Sequence, residues 1–244
     1  VSLLLQVGVN FANDYSDGIR GTDEVRVGPQ RLVGGGLASP RSVKMAAFAS
    51  FGLAAFAGAV LALATSPWLF AVGAAAILAG WFYTGGSHPY GYLGLGEVFV
   101  FVFFGLVATV GTTYVIVERI PASSWWMGIA TGSLACALLV TNNLRDIPTD
   151  REVGKKTLAV RLGDARARAL YIGLFAVSII ASWMCVREST VVLLTAVTIP
   201  FMIEPVHAVR RGAAGRDLIA VLGATARVQL VFGVSAAVGL VLSR

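Results

Sequence analysis

Stretches of about 20 nearly uncharged residues dominate this chain, and they narrow its fold more than any other feature. A segment that long and apolar crosses a bilayer as a helix, because a helix satisfies its backbone polar groups internally. Seven windows fit, some of them short: approximately 45–65, 68–84, 97–117, 124–143, 169–186, 189–205 and 218–242. An eighth, 1–12, opens in mid-run. It lacks the basic start and cleavage site of a signal peptide, so a further segment is expected upstream. Apolar residues make up 57% of the chain and charged ones 13%, against roughly 25% charged in a soluble domain. The reading is an all-α polytopic membrane protein, one domain over 1–244, with eight transmembrane helices.

The basic residues report topology. If the helices alternate in direction, segments 14–44, 85–96, 144–168 and 206–217 share one side and hold fifteen of the 19 Lys and Arg residues. By the positive-inside rule that side is cytoplasmic. The net charge of +6 therefore argues for orientation in a membrane and against a nucleic-acid partner. Cys136 and Cys185 fall within spans and show no CxxC spacing, so both are expected as small core residues.

Two cytoplasmic connections, 14–44 and 144–168, hold eight of the 13 acidic residues. Each follows a span directly: "VNFANDYSDGIRGTD" and "VTNNLRDIPTD". Residues three or four apart on a helix share a face. Asn13 and Asp14 thus align with Asp17, Asn142 with Asp146, and Asp146 with Asp150. Pro148 predicts that a helix ends near Arg145 or that a new one starts near Pro148. Carboxylates this close repel unless cations lie between them. Hard oxygen donors select magnesium or calcium, and magnesium takes one or two carboxylates together with phosphate oxygens. Basic residues follow each acid group: Arg20, Arg26 and Arg31 after the first, Lys155, Lys156 and Arg161 after the second. Acids and cations together suit a diphosphate shared between metal ions and guanidinium forks.

"NDYSDGIRGTD" (13–23) resembles the first aspartate-rich motif of the UbiA-type intramembrane prenyltransferases, and "DIPTD" with "GKKTLAVRLG" (146–163) resembles the second. "RVGPQRLVGGGL" (26–37) and "YTGGSHPYGYLGLGEVFVFVFFG" (83–105) resemble the branch that prenylates 1,4-dihydroxy-2-naphthoate in menaquinone synthesis. The resemblance implies nine transmembrane helices around a central cavity with a cytoplasmic polar cap, the first helix being absent from this sequence. It implies two magnesium ions, one held by Asn13, Asp14, Asp17 and Asp23, the other by Asp146 and Asp150. Asp17, Asp146 and Asp150 would be essential to catalysis, and both ions would clamp a polyprenyl diphosphate. The enzyme would sit in a bacterial plasma membrane with its site toward the cytoplasm. Where many members carry a diphosphate-binding lysine after the tyrosine matching Tyr83, this chain has His88. That role falls to His88, Lys155, Lys156 or Arg31.

Departure of diphosphate leaves an allylic cation, which aromatic faces stabilise; Phe11, Tyr15, Tyr83, Tyr90 and Tyr92 are candidates. Asn10, Glu97, Asn142 and His88 are further candidates for contact with the acceptor or the cation. The Gly- and Ala-rich run 51–64 serves either close helix approach or a groove for the prenyl tail. Two rivals are weaker. A CDP-alcohol phosphotransferase needs Ala-Arg after "DG", and a transporter places its acids at mid-membrane.

Overall fold

The computed structural model describes residues 1–22, 28 and 30–242, so Asp23 and Arg26 lie outside the described residues. Regular structure among the described residues is entirely helical. In order come α1 (Ser2–Ile19), α2 (Pro40–Ala64), α3 (Leu69–Phe82), α4 (Gly96–Val100), α5 (Ala108–Val117), α6 (Ala122–Glu152), α7 (Leu158–Leu162), α8 (Asp164–Trp183), α9 (Ile199–Arg210) and α10 (Asp217–Leu242). A π-wound segment, Phe101–Val107, joins α4 to α5.

Six helical stretches are long and apolar enough to cross a membrane: Pro40–Ala64, Gly96–Val117, Ala122–Glu152, Asp164–Arg187, Val192–Arg210 and Asp217–Leu242. Their outer faces carry large apolar side chains with nothing over them, such as Phe56, Leu63, Ile116 and Leu230. In water such surface would drive association; in lipid it is the solvated face. Two of the eight expected spans fall outside this set. The 14 residues of α3 rise about 21 Å, short of a hydrocarbon core about 30 Å thick. For α1 the reason is compositional, since its second half is the polar run "NDYSD".

The chain forms two compact units, Val1–Gly96 with Pro148–Thr157, and Glu97–Ile147 with Leu158–Arg244. In the first, α1 and α2 meet around Ala12, Ala47 and Phe51, with Val9, Ile77 and Trp81 packed on them. Gly8 lets the Phe51 ring against α1, where a Cβ would come within 2.7 Å of it. Ser39 caps α2 by accepting from the Ser42 amide, and Pro40 follows as its first residue. In the second unit the core runs through Leu134, Val140, Tyr171, Phe175, Val228 and Phe232, and the Tyr171 and Thr225 hydroxyls pair at 2.7 Å. Gly105 crosses Gly132 so closely that a Cβ on Gly105 would lie 2.5 Å from the Gly132 Cα. Cys136 and Cys185 are free and buried, as their neighbours in sequence implied.

One local expectation changes, and one alternative left open narrows. Helix α6 continues through Pro148 to Glu152 instead of stopping at Arg145 or restarting at the proline. Pro148 forfeits the ladder bond to the Leu144 carbonyl, and the buried packing of Leu144, Arg145, Ile147 and Asp150 around it carries the helix past that loss. In the run 51–64, Gly52 and Gly58 have no atom within 4 Å of a Cβ position. Close approach belongs to Gly8, Gly105 and Gly132 instead.

Candidate active site

Helix α1 places its acids by simple periodicity, but their partners come from far along the chain. Asp14 is buried, and both its oxygens accept backbone N–H groups, Leu32 at 3.0 Å and Val33 at 2.9 Å. It clamps the turn around residues 30–37 back onto α1. Gly18 makes room for that turn, since a Cβ there would meet Val33 Cγ1 at 2.4 Å.

Asp17, one turn on, has side-chain partners instead. The Tyr92 hydroxyl donates to Oδ1 at 2.6 Å, and Lys155 Nζ lies 3.3 Å from Oδ2. The Tyr92 ring faces both Lys155, 4.6 Å from its centroid, and the Arg20 guanidinium, 5.4 Å away. The Lys156 amide donates to the Tyr92 carbonyl at 2.9 Å. The first acidic motif, the 83–95 loop and the tail of the second motif therefore meet within one unit. Burial pushes the Tyr92 phenol above its ordinary pKa, and the adjacent Asp17 carboxylate raises it further. The hydroxyl consequently keeps its proton for Asp17 well into alkaline solution.

Arg20 holds the loop. Its guanidinium donates to the carbonyls of Thr84 and Gly86, and the Thr84 hydroxyl donates to Asn13 Oδ1 at 2.9 Å. Tyr90 donates to the Ala79 carbonyl at 2.7 Å and sets its ring edge-on to Tyr83. His88, by contrast, is exposed and pairs only locally, its Nδ1 3.0 Å from Ser87 Oγ. Of the cations weighed for the place of the missing lysine, Lys155 is the one set against Asp17, while Arg31 is half-buried within the clamped turn.

In the second motif, Asp150 is buried, with the Thr157 hydroxyl 3.4 Å from Oδ2. Asp146, in the other unit, sits in the fork of Arg145, whose Nε and Nη2 each donate at 2.7 Å. Asn142 is half-buried on α6, and Arg161 is exposed on α7. Asn10 is exposed and spends its amide on the Gln6 carbonyl, away from Asp17's partners. Phe11 packs into the α1–α2 core. Tyr15 stacks on Trp81, with Lys44 Nζ 5.3 Å from its ring.

Sequence reasoning overlooked Arg145, Thr84, Lys44 and Thr157. Only Arg145, adjacent to Asp146, carried a signal: a cation beside an acid at a membrane boundary. Among the described residues no three His, Cys, Asp or Glu side chains gather tightly enough to hold a metal by themselves. The donor chemistry still suits magnesium, which needs one or two carboxylates and takes its remaining oxygens from water and phosphate. Asp17 and Asp150, with the Asn13 amide oxygen, supply that type of donor in the first unit, and Asp146 supplies it in the second.

Residues 1–241 match the UbiA prenyltransferase family. The chain is 52% identical, over 97% of its length and 81% of the relative, to the 1,4-dihydroxy-2-naphthoate octaprenyltransferase of Mycobacterium tuberculosis. It is 46% identical, over 100% of its length and 83% of the relative, to the protein of the same name in Mycobacterium leprae. The Bacillus subtilis protein of that name is 28% identical over 99% of the chain and 79% of the relative. No solved structure matches the chain.

Proposed function

Because the chain belongs to the UbiA prenyltransferase family, we propose that it transfers a long isoprenyl group from an allylic polyprenyl diphosphate to 1,4-dihydroxy-2-naphthoate, releasing diphosphate and carbon dioxide, in menaquinone biosynthesis. The observation that carries this reading is 52% identity to an enzyme named for that acceptor, over nearly the whole chain. The octaprenyl group in the relatives' names is the donor chain to try first. The enzyme works as a multi-pass protein of eight spans in a bacterial plasma membrane, its polar cap toward the cytoplasm.

The residues divide the work by chemistry. Asn13 and Asp17 would hold one magnesium ion, with Asp14 fastening the turn beside them, and Asp146 and Asp150 would hold a second. Bound there, the ions supply Lewis-acid neutralisation of the leaving diphosphate. Lys155 and Lys156 offer their ammonium groups to the same anion, with Arg31 and Arg161 as further donors. Lys155 exchanges Asp17 for phosphate oxygen, a short movement for a flexible side chain. Arg20 orients the 83–95 loop through Thr84 and Gly86. Tyr92 presents its face to two cations and its hydroxyl to Asp17, so it positions charge rather than shielding the allylic cation. Tyr15 already has Lys44 over its ring, which leaves Tyr83 for that shielding.

The test is prenyl transfer by purified protein in lipid nanodiscs, given labelled polyprenyl diphosphate and a panel of aromatic acids. Product is expected with 1,4-dihydroxy-2-naphthoate and magnesium, and chelation of divalent cations should abolish it. Preference for 4-hydroxybenzoate would overturn the acceptor, and full turnover in chelator would overturn the metal assignment.

A further inference from the structure

A buried carboxylate with one oxygen to spare stands at the start of α4. Glu97 is 7% exposed. Its Oε1 accepts from Asn143 Nδ2 at 2.8 Å, while Oε2 is buried and has no hydrogen-bond partner among the described residues. Cys136 Sγ lies 3.1 Å from the Glu97 carbonyl and ties the same residue's backbone to α6. Buried polar atoms are almost always paired, so an orphan oxygen on so well-held a side chain points to a partner that arrives later.

Asn143 sets where that partner lies. Asn143 and Asp146 are three residues apart on one unbroken helix, so they share a face, separated by about 4.5 Å along the axis. That face is partly open through Ala135, Leu138, Leu139, Asn142, Asn143 and Asp146. It passes from apolar through amide to acid. A flat apolar ring bearing hydroxyls suits such a gradient, with its polar edge at the amides.

We propose that Glu97 Oε2 accepts a hydrogen bond from a ring hydroxyl of the aromatic acceptor, with Asn143 holding the carboxylate in position. The inference deepens the prenyl-transfer reading and rests on it. A hydroxyl bound to a carboxylate releases electron density into its ring, and so strengthens the carbon nucleophile that an allylic centre needs. A neutral amide donor in the same place would withdraw density.

Glu97→Gln tests this directly. The glutamine keeps an oxygen for Asn143 but sets an N–H group where Oε2 was, and an N–H group cannot accept from a hydroxyl. The KM for 1,4-dihydroxy-2-naphthoate should rise about tenfold or more, while the KM for polyprenyl diphosphate stays near wild type. Asn143→Ala should raise the acceptor KM by a smaller factor. An unchanged acceptor KM in Glu97→Gln, or equal rises for both substrates, overturns the proposal. A ligand-side measurement avoids dependence on the variant's folding. Two competitive inhibitors of the wild-type protein, 1-hydroxy-2-naphthoate and 4-hydroxy-2-naphthoate, should differ about tenfold in Ki, because each lacks one hydroxyl. Equal Ki values overturn it as well. Wild-type protein that transfers nothing to the dihydroxynaphthoate would instead sink the broader reading.

Discussion

Asp14 and Asp17 stand three residues apart on one face of α1, both buried, and their surroundings give them opposite work. Asp14 is filled by two backbone amides that belong to a turn 18 and 19 residues away. Asp17 is met by a lysine and a tyrosine hydroxyl, groups on side chains that can swing aside. A carboxylate bound to backbone is part of the scaffold, because moving it means moving the chain. A carboxylate bound to side chains can change partners when an anion and its counter-ions arrive. On the proposed reading, the first acidic motif therefore contains both a fastening and a working group.

The largest effect that would sharpen this contrast is at Asp17. Asp17→Ala should leave a monodisperse protein of near-normal melting temperature whose prenyl transfer falls by about a thousandfold or more. Melting well below wild type would make Asp17 a second fastening and erase the distinction.

Asp14→Ala should lose two charge-assisted bonds and melt lower, with a stability loss of about 2–4 kcal/mol. Its acceptor and donor KM values, measured on the protein that remains folded, should move less than those of Asp17→Ala. Normal melting with abolished activity would instead make Asp14 a metal ligand and nothing more.

The smallest effect belongs to His88. An exposed ring with one local partner should tolerate replacement, and His88→Ala should keep kcat/KM within about twofold of wild type. A large rise in the KM for the diphosphate would return to His88 the part proposed for Lys155.

Some of this was legible from the residues alone. Each apolar window falls on observed helix, because hydrocarbon offers backbone groups no other partner, but α1 and α6 run on past the windows 1–12 and 124–143 to Ile19 and Glu152. Lys155 and Asp17 lie 138 residues apart, and no local pattern pairs them; that Lys155 meets Asp17 while His88 pairs with Ser87 waited on the fold. Pro148 misled for a similar reason, since a local rule does not count the buried neighbours that hold the helix together across it. The tight crossing at Gly105 and Gly132 carried no stronger mark than the open glycines at 52 and 58.

The sequence by itself determined that this is a membrane protein with two acidic, cation-flanked motifs at helix ends. Periodicity and transfer energy are local, and they survive without knowledge of any neighbour. Tertiary structure decided which acid clamps a turn, which cation meets Asp17 and which oxygen of Glu97 stays unpaired. Those are properties of pairs far apart along the chain, and a hydrogen bond is settled only where the fold brings donor and acceptor within about 3 Å.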